Sequence, residues 1–141
     1  MSGFLLDTNC ISELVRPKPE RRVLEWLEAA DESSLYLSVL TLGEIRKGLA
    51  ALPVSRRRAQ LEAWIDQDLR IRFSRRILSI DDAVADRWGV IAARAASKGA
   101  PLPVIDGLLA ATALHHDLTV VSRNTRDFAI AQVSVVNPWR A

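Results

Sequence analysis

Short apolar runs alternate with longer segments of helical periodicity along the whole chain, and this alternation constrains the fold more than any other feature. Gly3 to Leu6 reads as a short buried strand ending at Asp7. Leu35 to Val39, Ile77 to Ile80 and Leu118 to Ser122 repeat that signature, with Val133 to Val136 as a possible fifth strand. Between them, Val23, Trp26, Leu27 and Ala30 recur at helical spacing, Thr41 to Ala51 reads as a helix, and Leu61, Trp64, Ile65 and Leu69 mark another. Asp81 or Asp82 is placed to cap a helix carrying Val84, Trp88, Ile91, Ala92 and Ala95. Gly99 to Pro103 breaks it, with Pro103 in the first turn of a helix that runs to about His116. Apolar strands separated by helices predict a parallel sheet covered on both faces. The expectation is one three-layer α/β/α domain over residues 1–141, with a central parallel sheet of four or five strands.

Composition narrows the setting. At 49% hydrophobic residues the chain can build a packed core and is not a disordered one. Cys10 is the sole cysteine, so no internal disulfide forms, and a reducing, cytoplasmic setting is expected. The first residues lack a secretory pattern, and no run approaches the roughly 20 apolar residues of a membrane span. The net charge of +2 is small, but arginines cluster at Arg56, Arg57, Arg58 and again at Arg70, Arg72, Arg75, Arg76. Such clusters are either an electrostatic footprint for nucleic acid or solvated faces and contacts to an acidic partner.

In open parallel sheets, sites form beyond the carboxyl ends of the strands. Asp7 follows the first strand directly, Glu44 falls in the first turn of the helix after the second, and Asp106 opens the helix before the fourth. Asn124 follows that fourth strand after Ser122 and Arg123. Carboxylate and amide oxygens are the hard ligands that Mg²⁺ or Mn²⁺ prefers. Each residue also has a local reading. Asp7 can start a turn with Thr8 and Asn9, and Asn9 can cap the helix holding Ile11 and Leu14. Thr41 and Glu44 fit a T-x-x-E capping box, and Asp106 suits a helix dipole. Three acids at three independent element ends favour the shared site, and Asp106, set among Val104, Ile105, Leu108 and Leu109, wants a partner. His115 and His116 are adjacent, diverge by about 100° on a helix, and are poorly placed to share a metal. Cys10 reads as a packed residue. Trp26, Trp64 and Trp88 read as core, whereas Trp139 is ambiguous.

Four ordered segments resemble a known family. Leu5-Leu6-Asp7-Thr8-Asn9 with Ile11-Ser12-Glu13 is similar to the first motif of PIN domains, especially the VapC and FitB toxins of bacterial toxin–antitoxin pairs. Ser38 with Thr41 to Gly48 resembles the second motif, Asp106 to Ala113 the third, and Ser122 to Phe128 the fourth. The ending Asn137-Pro138-Trp139 is similar to FitB-like members. The resemblance implies a metal-dependent endoribonuclease whose Asp7, Glu44 and Asp106 match three acidic positions that hold Mg²⁺ or Mn²⁺. Asn124 stands where many members carry a fourth acid, so a second ion would be held more weakly, with Asp127 as a candidate replacement. Thr8 and Ser122 would support the ligands through their hydroxyls. The arginine clusters and Arg123 are candidate RNA contacts. The resemblance also implies a cognate antitoxin that covers the pocket and binds operator DNA, and a homodimer built near Leu49 to Leu69. Alternatives are a DNA-directed or structure-specific nuclease and a catalytically weak module that binds RNA or a partner. A phosphatase-like domain has no covalent-phosphate motif around Asp7 to support it.

Overall fold

Five short strands line up side by side and all run the same way, in the order β3-β2-β1-β4-β5. The computed structural model describes residues 3–140. The strands are β1 (Gly3–Leu6), β2 (Leu35–Ser38), β3 (Ile77–Leu78), β4 (Leu118–Val121) and β5 (Val135–Val136). The register places Phe4 beside Leu35 and Thr119, and Val121 beside Val136. Side chains of a strand alternate between faces, and the core divides accordingly. Leu5 and Val120 pack with Val84, Leu109 and Phe128 on one face. Leu6 and Val121 pack with Ile11, Val23, Leu27, Leu69 and Phe73 on the other. This two-sided burial explains why the strands read as continuous apolar runs.

The helices are α1 (Thr8–Ser12), α2 (Arg21–Ala29), α3 (Val39–Ala50), α4 (Arg56–Ala63), α5 (Arg70–Arg72), α6 (Asp82–Ser97), α7 (Val104–His115) and α8 (Thr125–Ile130). Helix α6 starts on Asp81, whose carboxylate accepts from the Val84 N–H at 2.9 Å, and ends with Gly99 at φ 73°. There the Ala100 N–H bonds back to the Ala95 carbonyl, the left-handed ending that glycine accommodates best.

Several boundaries differ from the sequence expectation, each for a physical reason. β2 stops at Ser38, whose hydroxyl accepts from the Leu40 N–H at 3.0 Å, so α3 begins at Val39 rather than Thr41. Thr41 is therefore buried inside the helix, no capping box forms, and Glu44 sits in the second turn. β3 ends at Leu78, short of Ile80, because its partner β2 ends opposite it at Ser38. Pro103 is the residue before α7 rather than within it. Between α4 and α5 the chain is π-helical over Trp64–Leu69. A four-residue spacing overshoots an ordinary helical turn, and the wider turn keeps Ile65 and Leu69 facing the core. His116 leaves the helix, and its ring meets that of His115 edge to face at 4.9 Å instead of diverging.

Candidate metal and nucleic-acid site

The carboxyl ends of the central strands β1 and β4 carry the polar residues of the site. The Asp7 N–H continues the sheet by donating to the Val121 carbonyl at 3.0 Å. Its side chain then caps α1, accepting from the Thr8 N–H at 2.7 Å through Oδ1. Asp7, rather than Asn9, is thus the helix cap. The other oxygen, Oδ2, accepts from the buried Ser122 hydroxyl at 2.7 Å and from Asn9 Nδ2 at 3.4 Å. Asn9 Nδ2 also reaches Ser122 Oγ at 3.3 Å, which ties β1 and β4 together across the site.

Burial pushes the Asp7 carboxyl above its ordinary value; the hydrogen bonds from Ser122 and Thr8 oppose this, and the Glu44 charge adds to it. Glu44 enters from α3 and is held by the Thr8 hydroxyl, which donates to Oε1 at 2.5 Å. Asp106 lies in the first turn of α7. Burial first, then the charges of Asp7, Asp127 and Glu44 and a hydrogen bond shared with Asp127, push its carboxyl up to about 6. Gly107 beside it lets α6 approach: a Cβ there would lie 3.0 Å from the Trp88 indole nitrogen.

Asn124 caps α8, and its Nδ2 donates to Asp106 Oδ2 at 3.0 Å and to Asp127 Oδ2 at 2.9 Å. Its backbone N–H donates to Ser122 Oγ at 2.9 Å. In this arrangement Asn124 presents its amide hydrogens, not its oxygen, to the acids. Burial first, and then the neighbouring carboxylates, raise the proton affinity of Asp7 and Asp106, and such crowding of acids favours a cation. The donors are hard oxygens suited to Mg²⁺ or Mn²⁺. Among the described residues no three acidic, His or Cys side chains close into a ready-made metal cage.

Arg72 and Arg76 fall elsewhere. Arg72 forms a two-pronged pair with Glu32 at 2.9 and 3.0 Å. Arg76 binds the same carboxylate at 3.1 Å and the Leu35 carbonyl at 2.7 Å. Both precede β3, and Glu32 precedes β2, so this cluster ties together the amino ends of the strands, opposite the acidic group. Arg57 binds the Val15 carbonyl, Arg58 the Leu52 carbonyl, and Arg70 pairs with Asp66 at 3.5 Å. Arg56 and Arg75 are exposed. Arg123 alone of the predicted set adjoins the acids in the chain, between Ser122 and Asn124. Sequence reasoning missed Asn9 as the brace between Asp7 and Ser122.

The PIN domain family model matches residues 4–133. This chain belongs to the PIN domain family. It is 41% identical over 136 residues to Toxin FitB of Neisseria gonorrhoeae, covering 96% of this chain and 98% of that one. It is 36% identical over 136 residues to the VapC ribonuclease Y4jK of Sinorhizobium fredii, covering 96% and 97%. The fold also superposes on DNA-bound VapBC from Salmonella typhimurium with a TM-score of 0.81 at 27% identity, covering 98% of this chain and 99% of that one. This PIN chain carries no helix, among its described residues, that is long and apolar enough to cross a membrane.

Proposed function

We propose that this PIN protein is a Mg²⁺- or Mn²⁺-dependent endoribonuclease, the toxin of a type II toxin–antitoxin pair. The observation that carries the reading is the convergence of acids at the carboxyl edge of the sheet, where Thr8 bonds both Asp7 and Glu44, and Asn124 bonds both Asp106 and Asp127. Similarity to a VapC ribonuclease and to a named toxin supports it. Asp7 and Asp106 would hold the ion, with Glu44, tied beside Asp7 by the Thr8 hydroxyl, as the third acid of the set. When bound, a divalent ion supplies positive charge against the phosphate oxygens and makes water a stronger acid.

The chain's own residues do the rest. The hydrogen bonds from the Thr8 N–H and the Ser122 hydroxyl favour the ionised form of Asp7 against its burial and orient its carboxylate. The Thr8 hydroxyl occupies Glu44 Oε1 and leaves Oε2 to orient the attacking water and accept its proton. Water attacks phosphorus, and the bond to the leaving ribose oxygen breaks. Asn124 supports Asp106 and brings Asp127 close enough to take part as a further acid. A cognate antitoxin that binds operator DNA, and a homodimer, are part of the same proposal; DNA-bound VapBC supports the first.

The experiment compares cleavage of an RNA and a DNA of the same sequence with Mg²⁺, with Mn²⁺ and with chelator. Metal-dependent cleavage of RNA alone is expected. Cleavage of DNA alone would replace this reading with a DNA nuclease, and binding without cleavage would replace it with a binding module.

A further inference from the structure

A second cluster lies beside the acidic group at the same edge of the sheet, and the mechanism above does not use it. Its centre is Glu13, which follows α1 and is only 2% exposed. A buried carboxylate is costly unless it is paired, and Glu13 is paired on every side. Its Oε1 accepts from the Glu20 N–H at 2.8 Å, and Oε2 accepts from Arg16 Nη1 at 2.8 Å. Arg123 Nη2 stands 4.0 Å from the same Oε2. Burial alone would raise this carboxyl, but the Glu20 N–H, Arg16 and the Trp139 indole outweigh it and hold it below the ordinary range. The Trp139 indole N–H is buried and has no other partner. Trp139 also carries the Arg123 guanidinium on its ring, 4.7 Å from the centroid.

The placement follows from the sheet. Trp139 follows β5, Arg123 follows β4 and Glu13 lies one short helix after β1, so all three stand beyond the carboxyl ends of adjacent strands. Arg123 sits between Ser122, which bonds Asp7, and Asn124, which bonds Asp106. Two cations share one buried anion here, which leaves net positive charge. Both guanidinium-bearing side chains remain about half exposed, at 54% for Arg16 and 56% for Arg123. Stacking and pairing restrict their rotamers, so little further freedom is lost when they bind an anion. A pocket of four acids repels a polyanion, and fixed positive charge next to it is what a phosphate-bearing strand requires. The Arg72–Arg76 cluster lies at the opposite edge and cannot serve.

We propose that Arg16 and Arg123, anchored on Glu13 and Trp139, form a phosphate-binding subsite that grips the RNA strand next to the scissile bond. Trp139 is a positioning residue for Arg123. The inference rests on the ribonuclease reading, and the test separates the two.

Arg16→Ala, Arg123→Ala, the double variant, Trp139→Phe and Trp139→Ala are compared with the parent. Binding of a short fluorescein-labelled single-stranded RNA is measured with chelator across a potassium chloride series, and cleavage is measured with Mn²⁺. Each arginine removed lowers the salt slope by about 0.7, the single-strand value per phosphate contact. KM rises about ten-fold per arginine, the loss of one charged hydrogen bond, while kcat changes little. Trp139→Ala reproduces the Arg123→Ala defect, and Trp139→Phe, which keeps a ring under Arg123, restores most of it. Arg16→Gln and Arg123→Gln carry the measurement if an alanine variant folds poorly. Unchanged slopes and KM alongside normal parental cleavage overturn the subsite and leave the ribonuclease standing. Loss of antitoxin binding with RNA binding intact overturns it in favour of a protein interface. A parent that neither binds nor cleaves RNA overturns both.

Discussion

Asp106→Asn is expected to stabilise the metal-free protein while abolishing its activity. A carboxyl whose folded pKa is raised contributes stability below its unfolded pKa and loses it as pH rises through the folded value. For Asp106 that window runs from the ordinary 3.8 to about 6. At neutral pH the folded protein therefore bears the cost of an ionised Asp106 facing Asp7, Asp127 and Glu44. The full displacement converts to a ceiling of about 3 kcal/mol. Asp106 is only half-buried, and solvent screening reduces this to about 1–2 kcal/mol. An asparagine keeps an oxygen for Asn124 and offers a hydrogen to Asp127, so no partner is orphaned. The gain corresponds to roughly 3–7 °C in melting temperature for a chain of this size. Chemical denaturation in chelator at pH 7.5 and again near pH 4 is the assay. The variant should be more stable at the higher pH, with the advantage shrinking at the lower one as the parental carboxyl protonates. Equal or lower stability at pH 7.5 would refute the claim that like charges crowd this pocket.

Other consequences follow from the same geometry. Ser122→Ala removes the hydroxyl that serves Asp7, Asn9 and the Asn124 N–H, and should cost about 2 kcal/mol in denaturation and about 10–100-fold in Mn²⁺ affinity. Asn124→Asp adds a carboxylate beside Asp106 and Asp127, and should destabilise the chelated protein yet tighten Mn²⁺ binding in calorimetry. Gly107→Ala forces the Trp88 ring to move and should lower stability by about 1–3 kcal/mol, seen as a shifted denaturation midpoint. Burial pushes the Cys10 thiol up to about 12, so the native protein should resist iodoacetamide at pH 8 and react only when unfolded.

The layered fold was legible because buried parallel strands are apolar on both faces, and Leu5-Leu6 and Val120-Val121 declare that without ambiguity. The polar residues of the site were legible as ends of elements: Asp7, Asp106 and Asn124 each stand where a strand stops or a helix starts. What stayed hidden were relations between side chains distant in sequence. Nothing local distinguishes Arg72 and Arg76, which fasten the amino ends of the strands to Glu32, from arginines that meet RNA. Thr41 looked like a cap because Ser38 and Thr41 are both competent caps, and only the strand's end decides between them. Glu13 and Trp139 lie far apart in the chain, and their meeting depends on β5 pairing beside β4.

The most direct test of the central claim is Mn²⁺-dependent cleavage of RNA by the parent protein, Asp7→Asn and Asp106→Asn, with circular dichroism on each. The account predicts cleavage by the parent, none by either variant, and superimposable spectra. Parent-like cleavage by either folded variant would contradict it.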